Sequence, residues 1–378
     1  MEGSGCVTDS MQSKTIDDLP EDLLLDVFQR LPIKALGSCM CVKKKWRSIV
    51  KNPEFISSYT VNNSKKKQYT VFWSSPSQWE LFLETERFDF YKHLILPRSI
   101  KMFDASIAVC NGVLCLAKEN GTIILWNPTI RKTLTIPKPN FSKFYANTTP
   151  LGFAFDSLSN DYKIVRILFS ENSQSPQVGV FKLSGNCWKL LSDTAPSSIP
   201  FGPPLPLLNG AIHWLSGSSF TSMYKFGDDR AIVGFDVNAE IFHEIKLPES
   251  LKPEGKKIQL AAYKQTSIAV CSSELRVNGE AGLELWIMKQ YGNVDSWTKI
   301  SLGDFVESGV GCCYIQRKKF QMLTISTDPE SKEEKKIALT FEALNPRFSG
   351  TRYLEETLLL LDNTNTVTGS MDEICYQD

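Results

Sequence analysis

The 378-residue chain carries 42 Lys and Arg against 42 Asp and Glu, so its formal net charge is zero and no bulk field draws it to nucleic acid or an anionic membrane. Hydrophobic residues at 42% and aromatic residues at 11% supply ample core, and the length suits two or three domains, or one small and one large. The polar first 18 residues lack a secretory signal and no apolar run nears the ~18 residues of a membrane helix, so an intracellular chain is expected, cytoplasmic or nuclear, with no membrane or nucleic-acid partner.

Residues 1–14 read as a disordered N-terminus, and residues 15–60 carry helical patterning. Asp17 and Asp18 can cap a helix entered through Leu19-Pro20-Glu21, where Pro has no N–H partner to lose. Leu23, Val27 and Leu31 recur at i, i+4 and i+8 with Leu24 and Phe28 beside them, one apolar stripe that Pro32 ends. Ile33, Leu36 and Met40 mark a second helix. Val42, Trp46, Ile49 and Val50 mark a third, stopped by Asn52-Pro53. Three short helices cannot bury this much apolar surface among themselves. Two readings stay open: a small bundle packed on the next domain, or a module that completes its core on another protein's helices. Acidic Asp17, Asp18, Glu21, Asp22 and Asp26 and basic Lys43, Lys44, Lys45, Arg47 and Lys51 read as solvated faces. The alternative for the basic run, with Lys65-Lys66-Lys67 behind it, is nuclear import or an acidic partner.

Leu19-Pro20, Leu31-Pro32 and Val42-Lys43-Lys44-Lys45-Trp46-Arg47 follow one another in the order and spacing by which this segment resembles the F-box; Gly37, Cys39 and Lys43 depart from the usual pattern. The resemblance implies docking on a Skp-type adaptor and, through it, a cullin. The implied adaptor contacts are Leu19, Pro20, Leu23, Val27, Leu31, Pro32, Ile33, Leu36, Val42 and Trp46.

Residues 61–67, with Asn62-Asn63-Ser64 and three lysines, read as a linker. From residue 68 the helical period gives way to short apolar runs between Gly, Pro, Asn, Asp and Ser turns, the pattern of an all-β fold. Asn111-Gly112-Val113 is echoed by Asn209-Gly210-Ala211, with Asn160-Asp161-Tyr162 midway, so the leading asparagines lie 49 residues apart. The aromatics Trp126, Phe181, Phe235 and Trp286 follow at spacings of 55, 54 and 51. A period near 50 with about four strands per unit is propeller spacing, because one blade cannot bury both of its faces alone. Four units are readable between about 105 and 300, and the flanks 68–104 and 301–362 each leave room for one more. The expected fold is α+β and multidomain: a three-helix module, then an all-β, propeller-like domain of about six blades over 68–362, then a disordered tail at 363–378. Five or seven blades, or a pair of packed sheets, are the alternatives.

A second resemblance rests on Cys110-Asn111-Gly112-Val113-Leu114-Cys115, Trp126-Asn127-Pro128-Thr129, Gly152-Phe153-Ala154-Phe155-Asp156, Asp161-Tyr162-Lys163-Ile164-Val165, Asn209-Gly210-Ala211-Ile212-His213-Trp214, Phe235-Asp236 with Leu247-Pro248, and Leu285-Trp286-Ile287-Met288. Their order is similar to the F-box-associated region of plant F-box proteins, and Tyr353 to Leu358 resembles its closing strand. This implies a kelch-like substrate-recognition domain.

Neither a Gly-x-Ser-x-Gly elbow, a Gly-x-x-x-x-Gly-Lys loop nor His-Glu-x-x-His occurs. Ten cysteines without a Cys-x-x-Cys pair, several of them in apolar runs (Cys110, Cys115, Cys271), and three scattered histidines (His93, His213, His243) give no metal framework. His213 reads as a packed strand histidine, Asp156 and Asp236 as turn caps, and Trp126, Trp188, Trp214, Trp286 and Trp297 as blade core. No catalytic, cofactor or metal residue is expected. The expected function is the non-catalytic, target-capturing receptor of a Skp–cullin–F-box ubiquitin ligase. A propeller hydrolase or ligand-binding protein with a helical extension, and a scaffold without ligase coupling, are the alternatives. Segments 140–150, 192–208, 216–230 and 327–336 are the expected recognition loops.

Overall fold

The structure is a computed structural model that describes residues 16, 19–63, 68–75, 78–83, 90–97, 107–118, 121–139, 150–168, 176–191, 199–201, 204–205, 207–217, 231–251, 257–263, 267–275, 281–300, 312–316, 319–327, 334–342, 350–355 and 357–361. The expected disordered ends, 1–14 and 363–378, and most of the expected recognition loops lie outside the described residues.

Four helices, not three, build the N-terminal module: α1 (Glu21–Arg30), α2 (Ile33–Val42), α3 (Lys44–Lys51) and α4 (Pro53–Asn63). Pro53, expected as a stop, opens α4 instead. The first helical position suits proline, and the Asn52 side chain accepts a hydrogen bond from the Glu54 N–H at 2.8 Å. Pro20 and Pro32 occupy the N-cap positions of α1 and α2 without side-chain capping bonds. Lys43, in extended conformation, separates α2 from α3, so Val42 closes the second helix rather than starting the third. Leu24, Phe28, Ile33, Leu36, Trp46, Ile49, Val50, Phe55, Ile56 and Tyr59 form the module's core. Phe28 meets Trp46 edge-on at 5.7 Å, and the Tyr59 hydroxyl donates to the Leu31 carbonyl at 2.7 Å. Helix α4 runs three residues into the stretch expected as a linker.

Among the described residues that follow, the strands form six sheets. The first holds β1 (Gln68–Ser75), β2 (Gln78–Leu83) and β3 (Phe90–His93). The second is β4 (Ile107–Cys110), β5 (Val113–Ala117), β6 (Ile123–Asn127) and β7 (Lys132–Ile136); the third is β8 (Leu151–Asp156), β9 (Asp161–Leu168), β10 (Gln177–Lys182) and β11 (Cys187–Leu191). The fourth is β12 (Ile199–Phe201), β13 (Ala211–Gly217), β14 (Ala231–Asp236) and β15 (Ile241–Lys246), and the fifth is β16 (Lys257–Tyr263), β17 (Ser267–Leu275), β18 (Ala281–Met288) and β19 (Trp297–Ile300). The sixth has β20 (Cys312–Gln316), β21 (Lys319–Thr327) and β22 (Glu334–Glu342). The last strand, β23 (Gly350–Glu355), returns to the first sheet and pairs antiparallel with β1, Gln68 opposite Glu355. This is the closing strand of the sequence reading, ended at residue 355; Thr357 and Leu358 lie beyond it.

The repeat is real in three dimensions. Trp126, Phe181, Phe235 and Trp286 all sit on the third strand of their sheets, and Asn111, Asn160 and Asn209 lie at the first hairpins of the second, third and fourth. Asn111-Gly112 and Asn209-Gly210 adopt positive φ at both positions, 46° and 75°, then 50° and 76°, as tight two-residue turns demand. Beyond the third strands, Asn127, Lys182 and Asp236 each precede a four-residue turn that ends in a left-handed residue, Arg131, Asn186 or Glu240.

The second, third and fourth sheets bury both faces, so their strand residues alternate between two cores. On β5, Leu114 and Leu116 face the first sheet beside Tyr69, Val71 and Trp79, while Val113, Cys115 and Ala117 face Leu151 and Phe153 of the third. On β9, Ile164 joins that second core, whereas Val165 and Ile167 meet Ile212, Trp214 and Phe235 of the fourth sheet. A further core joins the fourth and fifth sheets through Ile232, Ile245, Ile268 and Val270. Trp126 and Trp214 are buried as expected, but Trp188 and Trp297 are half-buried struts: their indole N–H groups donate to the carbonyls of Pro137 and Lys246 of the preceding blades, at 2.6 and 3.1 Å.

One charged cluster interrupts these apolar interfaces. Lys163 Nζ, on β9, lies 2.7 Å from Asp156 and 2.9 Å from Glu240 of the next blade, and donates to the Val237 carbonyl. Asp156 also caps its turn through the Leu158 and Ser159 N–H groups, the role expected for it. Burial raises its pKa, but the hydrogen bonds from Lys163, Ser159 and Leu158 outweigh that and bring it down to about 2. Lys163→Met leaves two buried carboxylates without their shared cation, and loss of about 3–5 kcal/mol is expected, read as a lowered urea midpoint; a midpoint within error of the native chain counts against the cluster as a clip between blades.

Candidate functional site

The ten residues singled out for adaptor contact divide into two groups. Ile33, Leu36 and Trp46 point inward and are core. Leu19, Val27 and Leu31 are half-buried at the edge of that core, and Pro20, Leu23, Pro32 and Val42 are exposed. The single stripe read on α1 is therefore two: Leu24 and Phe28 are 0% and 1% exposed, whereas Leu23, one residue earlier, is 48% exposed; at the end of α2, Val42 reaches 62%. Lys43, Lys44, Lys45 and Arg47 are exposed on the opposite flank of the α2–α3 break, Arg47 donating to the Met40 carbonyl and Lys43 lying 5.9 Å over the Trp46 ring. Their surroundings are those of a solvated face.

The sequence reading did not find the module's second support. Leu358 and Leu361, 1% and 3% exposed, lie in the helical core. Their neighbours hold to the second sheet, where the Asn127 amide donates to the carbonyls of Thr357 and Leu359 at 2.9 and 2.8 Å, and Lys132 Nζ donates to that of Leu361 at 3.0 Å. The Trp-Asn-Pro-Thr motif was visible in sequence; what its asparagine holds was not.

A second cluster of titratable groups in the β region, beside that of Lys163, is His213, His243 and Tyr291. His213 on β13 and His243 on β15 flank Gly234 of β14 in one cross-strand row, and both Nε2 atoms reach the Tyr291 hydroxyl of the fifth sheet's turn, at 2.7 and 3.1 Å. A Cβ at position 234 would collide with the His243 ring, so glycine is what lets that ring cross the strand. One hydroxyl proton serves two imidazoles only if one ring donates and the other accepts. His213 Nδ1 is buried without a hydrogen-bond partner among the described residues. A bare lone pair is the cheaper orphan there, so His213 donates to Tyr291 and Tyr291 donates to His243. Burial lowers the His213 pKa to about 3, helped by His243, and burial also lowers that of His243 against the opposing pull of Asp236. Burial pushes Tyr291 up to about 12. No group of three or more His, Cys, Asp or Glu among the described residues is arranged to hold a metal ion.

Residues 16–58 match the F-box domain and residues 86–348 match the F-box associated beta propeller domain. The chain belongs to the F-box proteins that carry this propeller domain. F-box protein At3g07870 of Arabidopsis thaliana is 26% identical to it over 330 residues, 78% of this chain and 75% of the relative. Putative F-box protein At3g16210 of the same plant is 25% identical over 61% of each chain, and F-box/LRR-repeat/kelch-repeat protein At2g27520 is 25% identical over 84% of this chain and 86% of its own. The change from helices to sheets, between Asn63 and Gln68, falls in the stretch between the two matches.

In this F-box protein His213 and His243 both have folded pKa values below the ordinary 6.5. The unfolded chain therefore takes up protons that the folded chain refuses as pH falls below about 6.5, and folding stability is full above that pH and declines beneath it. A urea midpoint that falls between pH 7.5 and 5.5, with a shallower fall in His243→Gln, is expected; identical pH slopes in the two chains would contradict this account of the relay.

Proposed function

We propose that this F-box protein is the target-capturing receptor of a Skp–cullin–F-box ubiquitin ligase. The observation that carries the reading is the split of α1 into an inward and an outward apolar side, within a segment that matches the F-box. Leu24 and Phe28 hold the module together; Leu23, Val27 and Leu31, with Pro20, Pro32 and Val42, supply the apolar side chains for a Skp-type adaptor, which in turn engages a cullin. Ile33, Leu36 and Trp46 act behind that face by holding the helices in place. The mechanism is proximity and needs no bond chemistry from this chain. The propeller-like domain holds a target protein, and the assembly raises the effective concentration of activated ubiquitin at the target's lysines.

The strands support a division of labour between their two ends. The tight turns at Asn111-Gly112 and Asn209-Gly210 and the turn after Asn127 lie at one end of the sheets, the end on which residues 357–361 and the helices rest. The strand ends joined by 137–150, 192–198 and 218–230 belong to the other.

Two substitutions separate docking from folding. Leu23→Glu with Val42→Glu places charges at exposed positions, where stability changes by no more than about 0.5 kcal/mol. Adaptor affinity by titration calorimetry should fall at least tenfold, about 1.4 kcal/mol. Leu36→Ala, in contrast, should destabilise the module by about 2–5 kcal/mol. Unchanged affinity in the double variant sinks the docking face. In cells, proteins captured by the intact chain should gain half-life when the double variant replaces it; unaltered half-lives for all of them favour a scaffold instead.

A further inference from the structure

We propose that residues 357–361 act as a clasp that fixes the orientation of the F-box helices on the propeller-like domain, with Asn127 and Lys132 as its positioning residues. Four residues separate α4, ending at Asn63, from β1, beginning at Gln68, so the chain itself supplies one attachment between helices and sheets. The clasp supplies a second attachment. Its side chains diverge: Leu358 and Leu361 enter the helical core, Leu360 enters the core between the second and third sheets, and Leu359 touches both. Leu360 achieves this with a φ of 72°, a left-handed conformation that a leucine adopts only under constraint. Its backbone carbonyls belong to the second sheet through Asn127 and Lys132. Thr357 and Thr60 of α4 meet hydroxyl to hydroxyl at 3.3 Å, and Ile130, in the turn that follows Asn127, packs on the helices as well.

The choice of asparagine carries the argument. At the equivalent turn of the fourth sheet, Asp236 accepts from the N–H groups of Asn238 and Ala239 at 2.9 and 2.8 Å. Asn127 makes the same cap with its oxygen, accepting from Thr129 and Ile130 at 2.9 and 3.4 Å. A carboxylate serves the turn equally well but has no N–H to give. The amide at 127, fully buried, is needed only because two carbonyls of the clasp end there. A receptor whose helices swivel spreads its target over a larger volume and loses effective concentration at the ubiquitin donor, a consequence that rests on the ligase reading; the clasp itself does not.

Asn127→Asp is the discriminating variant, since it keeps the turn cap and removes both donors. Donor and acceptor fluorophores placed at Lys34 of α2 and Lys289 of the fifth sheet, both exposed, report orientation in the full-length chain without adaptor. One narrow transfer-efficiency peak is expected for the native chain and for a chain ending at residue 362. At least a twofold broader peak is expected for Asn127→Asp and for a chain ending at residue 356, with helical circular dichroism retained. A merely structural role would lower the thermal midpoint without widening the peak of the folded fraction. Should Asn127→Asp lose its β-sheet signal, the chain ending at 356 decides by the same readout. A narrow, unshifted peak in the folded variants overturns the clasp. Adaptor titration of the same proteins is read separately: a native chain that binds no adaptor counts against the docking reading alone.

Discussion

The pairing of the last strand with the first is the constraint on which the rest of the molecule depends. Because β23 runs antiparallel to β1 with Glu355 opposite Gln68, the chain leaves its β region at the point where it entered. Helix α4 ends just before that entry, so whatever follows β23 emerges against the helices. Residues 357–361 exploit this placement. They fill the helical core with two leucines and give their carbonyls to the second sheet, so that two regions of different architecture share buried surface. Without the returning strand, more than 290 residues of sequence separation between Thr60 and Thr357 would leave that contact entropically remote.

Stacked sheets pose a packing problem that this F-box protein solves twice over with polar groups. Apolar blade faces are interchangeable in chemistry, and Val, Ile and Leu fit many registers. The Lys163 cluster between the third and fourth sheets and the His213–Tyr291–His243 chain between the fourth and fifth fit one register each, because their donors and acceptors stand on different sheets and meet only when those sheets are aligned. Such groups cost desolvation and return specificity of alignment. The half-buried Trp188 and Trp297, each donating to a carbonyl 51 residues upstream, repeat the same device at the rim.

The helical module makes the opposite choice. It leaves Leu23 and Val42 in water while burying Leu24 and Phe28 completely. Leu23 on α1 and Val42 on α2 stay exposed, while Leu358 and Leu361 complete the core behind them and join the module to the β region.

How much of this was written in the sequence follows from the range of the interactions concerned. The helices α1 to α3, the turn asparagines and the six-sheet count were legible because caps, glycine turns and a recurring period near 50 are local or periodic signals. The fourth helix was misjudged at Asn52-Pro53, where the same dipeptide can stop one helix and cap another, and local sequence does not distinguish them. Sorting Ile33, Leu36 and Trp46 inward and Leu23 and Val42 outward required the helices to be packed, since neighbouring positions on one stripe differ by a rotation that only the partner helix sets. Asn127 could be read as a turn residue from its neighbours, but not as the holder of residues 357–361, and Lys163, His213 and Tyr291 carried no mark of their partners at all. Sequence determined the elements and their repeat because those depend on residues a few positions apart; tertiary structure alone decided the clasp, the charge cluster and the histidine pair, because each depends on contacts between groups 48 or more positions distant and exists only once the sheets stand side by side.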